Sequence, residues 1–354
     1  MIGVELFAGA GGLSLGAHLA GLPVLYAIEI CKSPAKTFAL NNPACNVIYD
    51  DIRKVDPSGF DLPSKRIALF GGPPCQGFST SNQKNRNLDN ENNWLFEEFL
   101  RFVKALSPEL VVFENVAGIT HTAGGFFLEQ LVSRLQQLGY KTSYSVINSA
   151  DCGVPQHRNR FFCVGSKKQY VDLLEIKKVT KHVTVANAIS DLPDLTVGND
   201  VDILPYKTSA QSQYAKNLRA SASICGGHLV TKNAPHIVER YKHIPQGGNW
   251  SSIPKELMGS YKDVSRCHTG IYRRLRNDQP SVVLGNFRKN MLIHPNQDRG
   301  LSVREAARIQ SFPDSYKFWG SIGEQQQQVG NAVPPLMAQK VFECIFDQVG
   351  ETKR

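Results

Sequence analysis

A chain of 354 residues, 42% hydrophobic and 20% charged, is long enough to bury a sizeable core, which excludes a disordered segment or a small disulfide-stapled scaffold. No apolar run approaches the about eighteen residues that a membrane span needs, and the chain enters a strand at once, so a soluble cytoplasmic protein without a targeting segment is expected. The formal net charge of +9 lies wholly in the middle: residues 1–165 carry 14 Lys+Arg against 14 Asp+Glu, residues 166–300 carry 20 against 11, and residues 301–354 carry 6 against 6.

In chain order, strands are predicted at 4–7, 24–28, 47–49, 67–70, 110–114, 141–148 and 161–165, with helices between them. This alternation implies an α/β, mostly parallel sheet covered on both faces. After the first strand, Phe7-Ala8-Gly9-Ala10-Gly11-Gly12 opens a helix with glycines that let the backbone approach a ligand. Glu29 follows Gly9 by 20 residues at the end of the second strand, where it suits a ribose hydroxyl and implies a nucleoside cofactor. A dinucleotide fingerprint would place glycine at Ser14, so a nicotinamide cofactor fits less well.

The fourth strand runs into Gly71-Gly72-Pro73-Pro74-Cys75-Gln76. Two prolines hold the Cys75 thiol in a rigid turn, as a nucleophile requires, although a lone cysteine is more often a small buried hydrophobe. The polar segment 79–93, with Ser79, Lys84 and Arg86, fits either a lid over a ligand or an ordinary solvated loop. Glu114 ends a very apolar strand, where a carboxyl can hold a proton near neutral pH or simply cap a helix. A helix near 126–138 is stopped by Gly139. Gln156, Arg158 and Arg160 alternate along one face, suited to a phosphate or base edge, or to an exposed edge strand.

From about residue 166 the rhythm is lost and a second, irregular domain is expected, carrying the basic excess. Such an excess is the footprint of a polyanion-binding module, though a solvated surface biased by chance has the same charge. Order resumes at the capping box Ser302-Val303-Arg304-Glu305, and a last helix after Pro335 carries Met337, Val341, Ile345 and Val349 as a stripe. Beyond the short run at Gln325 to Gln328, no repeat or low-complexity segment is visible. The eight cysteines form no C-x-x-C pair or zinc spacing, so reduced thiols and no metal are expected.

Together these blocks resemble the DNA cytosine-5 methyltransferases of the bacterial restriction-modification type. Phe7 to Gly12, Glu29, Asp51-Ile52, Pro73-Pro74-Cys75-Gln76, Leu95-Phe96, Glu114-Asn115-Val116, Gln156-x-Arg158-x-Arg160, Arg304-Glu305 with Gln310-x-Phe312-Pro313, and Gly330-Asn331-Ala332-Val333-Pro334-Pro335 stand in that family's order. The resemblance implies a doubly wound, Rossmann-like, S-adenosylmethionine-dependent methyltransferase sheet with a smaller target-recognition domain. It places the catalytic domain at 1–180, target recognition at 181–300 and a return to the catalytic domain at 301–354.

It also implies methylation of carbon-5 of a flipped-out cytosine in duplex DNA, with Cys75, Glu114, Arg158 and Arg160 as catalytic residues. Implied cofactor contacts are Phe7, Gly9, Gly11, Leu13, Glu29, Asp51, Ile52, Pro74, Leu95, Asn331 and Ala332. Some relatives stack an aromatic residue on adenine where this chain has Ile30. Expected DNA contacts are Ser79, Lys84, Arg86, Arg266, Arg273, Arg274, Arg276, Arg288 and Lys289, most of them to phosphates. A Thr-Leu dipeptide of many relatives is replaced near Ser281-Val282-Val283-Leu284. A monomer is expected, and a cognate restriction endonuclease would not need to touch it. A transfer-RNA cytosine methyltransferase would carry a Cys-Phe-Thr signature that is missing here. A non-catalytic DNA-binding relative is disfavoured by the presence of Cys75, Glu114 and Arg160.

Overall fold

The computed structural model describes residues 1–64, 66–74, 95–259, 269–285 and 287–351. It divides into two compact units, one made of Met1–Cys152, Asn159–Lys178 and Val333–Arg354, the other of Gly153–Arg158 and Val179–Ala332.

The first unit is built on β1 (Ile2–Leu6), α1 (Gly12–Leu19), β2 (Val24–Glu29), α2 (Lys32–Asn41), β3 (Asn46–Tyr49), β4 (Ile67–Gly71), α3 (Leu95–Leu106), β5 (Leu110–Val116), α4 (Phe126–Gln137), β6 (Lys141–Asn148) and β7 (Asn159–Ser166). The strands form one sheet in the order β3-β2-β1-β4-β5-β7-β6. β1 to β5 pair in parallel, whereas β7 runs antiparallel to both β5 and β6. All seven strands lie where they are predicted, within a few residues at the ends, and the mostly parallel doubly wound class holds.

Burial explains the sequence texture. β1 and β4 are buried at every residue, β4 as a continuous apolar run and β1 broken only by Glu5, while the edge strand β6 alternates. On one face Leu69, Val111 and Phe113 pack against Phe99, Phe102, Phe127, Leu131 and Leu135 from α3 and α4. Each of those phenyl rings, almost wholly removed from water, contributes about 1.5–3 kcal/mol.

The second unit has little sheet and short helices: α5 (Val185–Ile189), α6 (Gln213–Arg219), α7 (Pro235–Lys242), α8 (Val303–Ile309) and α9 (Ile322–Asn331). One apolar cluster joins Tyr241, Ile244, Ile253, Met258, Tyr272 and Ile293. Elsewhere buried arginines organise it. The Arg308 guanidinium is bound by Asp191 at 2.5 Å and Asp314 at 2.6 Å, with all three side chains sealed from solvent. Arg299 meets Glu305 at 2.6 Å, and although burial alone would raise the Glu305 carboxyl, that guanidinium holds it down at about 2.

These contacts place residues 301–332 differently from the predicted return to the catalytic domain. α8 is buried along its whole length, and its arginines reach Asp191 and the Gly226 carbonyl, so it belongs to the second unit. The glutamine run sits inside α9, where Gln326 bonds Thr231 and Gln328 bonds the Trp319 carbonyl. The chain rejoins the first unit with α10 (Pro335–Val349), which packs along α1 and buries Met337, Val341 and Ile345 of the expected stripe.

Candidate active site

At the carboxyl end of β1 the backbone turns through left-handed conformations at Phe7, Gly9 and Gly11, with φ of 57°, 54° and 84°. Gly11 is the N-cap of α1, and Leu13 behind it is buried. A side chain at Gly9 would meet no atom within 4 Å, so the turn carries open space above it. Glu29 fastens this turn. One of its oxygens accepts the Gly9 N–H at 2.8 Å, and the other accepts the Cys31 N–H at 2.7 Å. Asp51 caps the turn of helix at Ile52–Lys54, and Arg53, bonding its carboxylate, pulls it below the usual range. Ile52 is buried, Leu95 is half-buried at the start of α3, and Pro74 and Ile30 are exposed.

A second group lies where β4 and β5 end. β5 and β7 pair so that Val116 faces Arg160 and Glu114 faces Phe162, which makes Glu114 and Arg160 diagonal neighbours. The Arg160 Nε lies 3.1 Å from Glu114 Oε1, and both side chains are largely withdrawn from water. Burial lowers the guanidinium's proton affinity and the Glu114 charge opposes that, so the ion pair holds together in a low dielectric.

The loop leaving β4 is fixed on top of this pair. A Cβ at Gly72 would lie 2.5 Å from Glu114 Oε2, and the Asn115 amide donates to the Pro73 carbonyl at 3.1 Å. Neither Gly72 nor Asn115 is among the residues assigned to the site from the sequence. Their signal was their position, directly beside the prolines and beside Glu114. Cys75, Ser79, Lys84, Arg86 and the rest of the 79–93 segment lie outside the described residues, as does Arg266.

Several expected ligand contacts turn out to be struts within the second unit. Gln156 is fully buried, donating to Gln310 and accepting the Leu284 N–H at 2.9 Å. Arg158, 1% exposed, donates to the Gly330 carbonyl at 3.0 Å and the Asn331 carbonyl at 3.2 Å. The alternating face read for Gln156, Arg158 and Arg160 is therefore a scaffold at its first two positions. That scaffold also pins Ser281, whose carbonyl accepts the His157 N–H at 2.8 Å.

Arg274 is corrected likewise. Its guanidinium donates to the carbonyls of Tyr241, Ile244, His294 and Gln297 and to Asp298, which leaves nothing for a nucleic acid. Arg276 is exposed but paired with Asp278, while Arg288 and Lys289 are exposed and Arg273 half-exposed. Asn331 is exposed and accepts from Gln327, and Ala332 beside it is buried.

The model of the C-5 cytosine-specific DNA methylase family matches residues 1–347. The chain belongs to that family. This DNA methylase is 33% identical over 366 residues to the Type II methyltransferase M.DdeI of Desulfomicrobium norvegicum, covering 97% of this chain and 88% of the relative. To the Type II methyltransferase M1.HphI of Haemophilus parahaemolyticus it is 35% identical over 349 residues, covering 97% and 86%. A solved prophage-encoded E. coli protein superposes with a TM-score of 0.81 at 26% identity, over 99% of this chain and 100% of that one. The methylase is thus an enzyme acting on cytosine carbon-5 in DNA, and its family and fold imply a methyl donor. No helix among the described residues is long and apolar enough to cross a membrane.

Proposed function

We propose that this methylase transfers the methyl group of S-adenosylmethionine to carbon-5 of a cytosine turned out of a specific duplex sequence, as the modification enzyme of a restriction-modification system. The observation that carries the reading is the buried Glu114–Arg160 pair roofed by Gly72 and Pro73, because that roof leads directly into Cys75.

The residues present fit the donor. Open space over Gly9, a carboxylate fastened to the same turn, and the end of a parallel strand suit a nucleoside bound through its hydroxyls. Phe7, Gly9, Gly11, Leu13, Glu29, Asp51, Ile52, Pro74 and Leu95 would hold it. When bound, it supplies an electrophilic methyl group.

Carbon-5 of cytosine is a poor nucleophile until a group adds at carbon-6. The Cys75 thiolate forms a bond to carbon-6, the ring's double-bond electrons move toward carbon-5, and Glu114, a carboxylate paired with Arg160 in the free protein, takes up a proton as the base binds and passes it to the N3 edge. Arg160, held by Glu114, donates to the ring oxygen as charge grows there. After carbon-5 is methylated, loss of its hydrogen as a proton to water restores the double bond and expels Cys75 as thiolate, and the N3 edge returns its proton to Glu114. Arg158 holds the C-terminal end of α9 rather than the base. The target must leave the stack to be reached. The second unit is read as the target-recognition domain, with Arg273, Arg276, Arg288 and Lys289 as its candidate DNA contacts. A monomer acting in the cytoplasm suits asymmetric contact with one strand.

Transfer of label from S-adenosylmethionine to duplex DNA, recovered as 5-methylcytosine after digestion, tests the reading. Label recovered only in RNA, or none in either, contradicts it. Gly72→Ala is expected to lower the rate of this transfer by about 10²-fold, since the added methyl must push the roof or the Glu114 carboxylate from place by a sizeable fraction of an ångström. Initial rates at saturating DNA check this.

A further inference from the structure

Arginines of the second unit differ in whether the protein itself takes up their donors. Arg274, Arg299 and Arg308 are buried, with their guanidinium groups bonded to carbonyls and carboxylates of the same unit. Arg276 is exposed, yet its Nε and Nη2 donate to Asp278 at 2.9 Å and 2.8 Å. Arg273 is half-exposed, and among the described residues nothing accepts from its guanidinium.

The backbone beneath that free guanidinium is fixed on both sides. The Arg273 carbonyl accepts the Ile293 N–H at 2.9 Å, the Tyr272 N–H donates to the Asn290 carbonyl at 2.9 Å, and the Arg274 N–H donates to the Gly248 carbonyl at 3.1 Å. Both flanking side chains are anchors. Tyr272 is 0% exposed and its hydroxyl accepts from Arg240 at 2.7 Å, while the Arg274 guanidinium is saturated by the carbonyls around it. Tyr272 has a φ of 54°, a left-handed conformation that a bulky side chain rarely adopts. Such a backbone persists only where its surroundings hold it, and it stands directly before Arg273.

Arg288 has no partner among the described residues either, but its setting differs. It is exposed in a turn, where its own carbonyl accepts the Met291 N–H at 3.2 Å. A phosphate accepts from many directions and suits such a site, whereas reading a base edge requires an origin held in place.

A guanidinium presents two parallel N–H groups, and guanine is the base that offers two neighbouring acceptors, O6 and N7, in the major groove. We propose that Arg273 is a specificity-determining residue that reads one guanine of the recognition sequence through both acceptors, while Arg288 contacts phosphate. This rests on the reading of the second unit as the target-recognition domain.

The test incubates full-length proteins and S-adenosylmethionine with a pool of duplexes of random sequence, and locates methylated cytosines by bisulfite sequencing. The wild type should give one sequence pattern that includes a guanine, in either strand, at a base pair other than the target. Arg273→Ala should lose about 5- to 150-fold of the preference at one such position, the discrimination of a bidentate contact, and keep the preferences elsewhere. No internal hydrogen bond of the side chain is removed, so its melting temperature should stay within a few degrees of wild type. Arg288→Ala should keep the whole pattern, with binding weakened evenly across sequences and the slope of log affinity against log salt smaller by about one. In a duplex of the sequence so found, 7-deazaguanine at the position that Arg273→Ala relaxes removes one acceptor. It should slow the wild type by about tenfold and leave Arg273→Ala unchanged.

A wild-type pattern without such a guanine, an Arg273→Ala pattern identical to wild type, or a 7-deazaguanine effect that persists in Arg273→Ala overturns the assignment and leaves the recognition domain standing. A uniform loss in Arg273→Ala with a smaller salt slope, or a changed pattern in Arg288→Ala, does the same. A wild type that methylates DNA cytosines with no sequence pattern overturns the recognition reading and the assignment together.

Discussion

Glu114→Gln is expected to slow methyl transfer by about 10²–10⁴-fold while DNA affinity changes by less than about twofold. Glutamine has the same length and shape, and its carbonyl can still accept from the Arg160 Nε that now lies 3.1 Å from Glu114 Oε1. The roof at Gly72 and the Asn115 bond to Pro73 are untouched by the exchange. What is lost is the negative charge that balances a buried guanidinium in the free protein and the ability to take up a proton and pass it to the ring's N3 edge. Single-turnover rates and DNA binding measured on the same preparation separate these effects. A rate within about fivefold of wild type would remove Glu114 from the acid role.

Arg308→Ala is expected to destabilise the second unit by about 3–5 kcal/mol, the usual cost of stranding buried charges. Arg308 is 0% exposed, and besides Asp191 and Asp314 it donates to the Ala188 carbonyl at 2.9 Å. Without it, among the described residues Asp191 keeps as cation the more distant Arg219, at 3.6 Å, while Asp314 keeps the Tyr206 hydroxyl at 2.6 Å and a weak contact with Arg304 at 3.9 Å. Both acids are sealed from solvent in the intact unit. Denaturant unfolding followed by fluorescence would show the loss as an early transition. A loss below about 1 kcal/mol would mean that the acids are neutral in the fold and the ion pairs are not its organising contacts.

The sheet was legible because its central strands β1, β4 and β5 are buried on both faces, so their sequences are nearly unbroken apolar runs. The direction of β7 was not legible, since an apolar run of that length carries no sign of whether it pairs in parallel or as a return strand. The two clusters at the strand ends were legible for a related reason: a glycine turn, Glu29 and Glu114 each end an apolar run, where a polar residue has few other uses.

The arginines misled in the opposite sense. Arg158 and Arg274 are indistinguishable in sequence from exposed arginines, because their partners are backbone carbonyls between 20 and 173 positions away. Part of the basic excess in the middle of the chain is thus internal structure, with Arg240, Arg274 and Arg299 all buried, rather than a surface for a polyanion. The helix at the glutamine run was hidden because its buried residues are Gln326, Gln328, Val329 and Gly330, which make no apolar stripe. Ser14 was noticed only as a departure from a fingerprint, since its hydroxyl donates to the Glu5 carboxyl, nine residues earlier on another element.

On the proposed mechanism, the loop that roofs Glu114 and Arg160 leads into a nucleophile, Cys75, that adds to carbon-6 of cytosine. Duplex DNA carrying 5-fluorocytosine at the methylated position tests it, because fluorine cannot leave as a proton and the last elimination is blocked. Incubated with S-adenosylmethionine, the wild-type protein should become covalently joined to this DNA in a denaturation-resistant complex, and Cys75→Ser should form none while binding the same duplex. A complex that persists in Cys75→Ser, or its absence from a wild-type protein that methylates ordinary DNA, would contradict the claim.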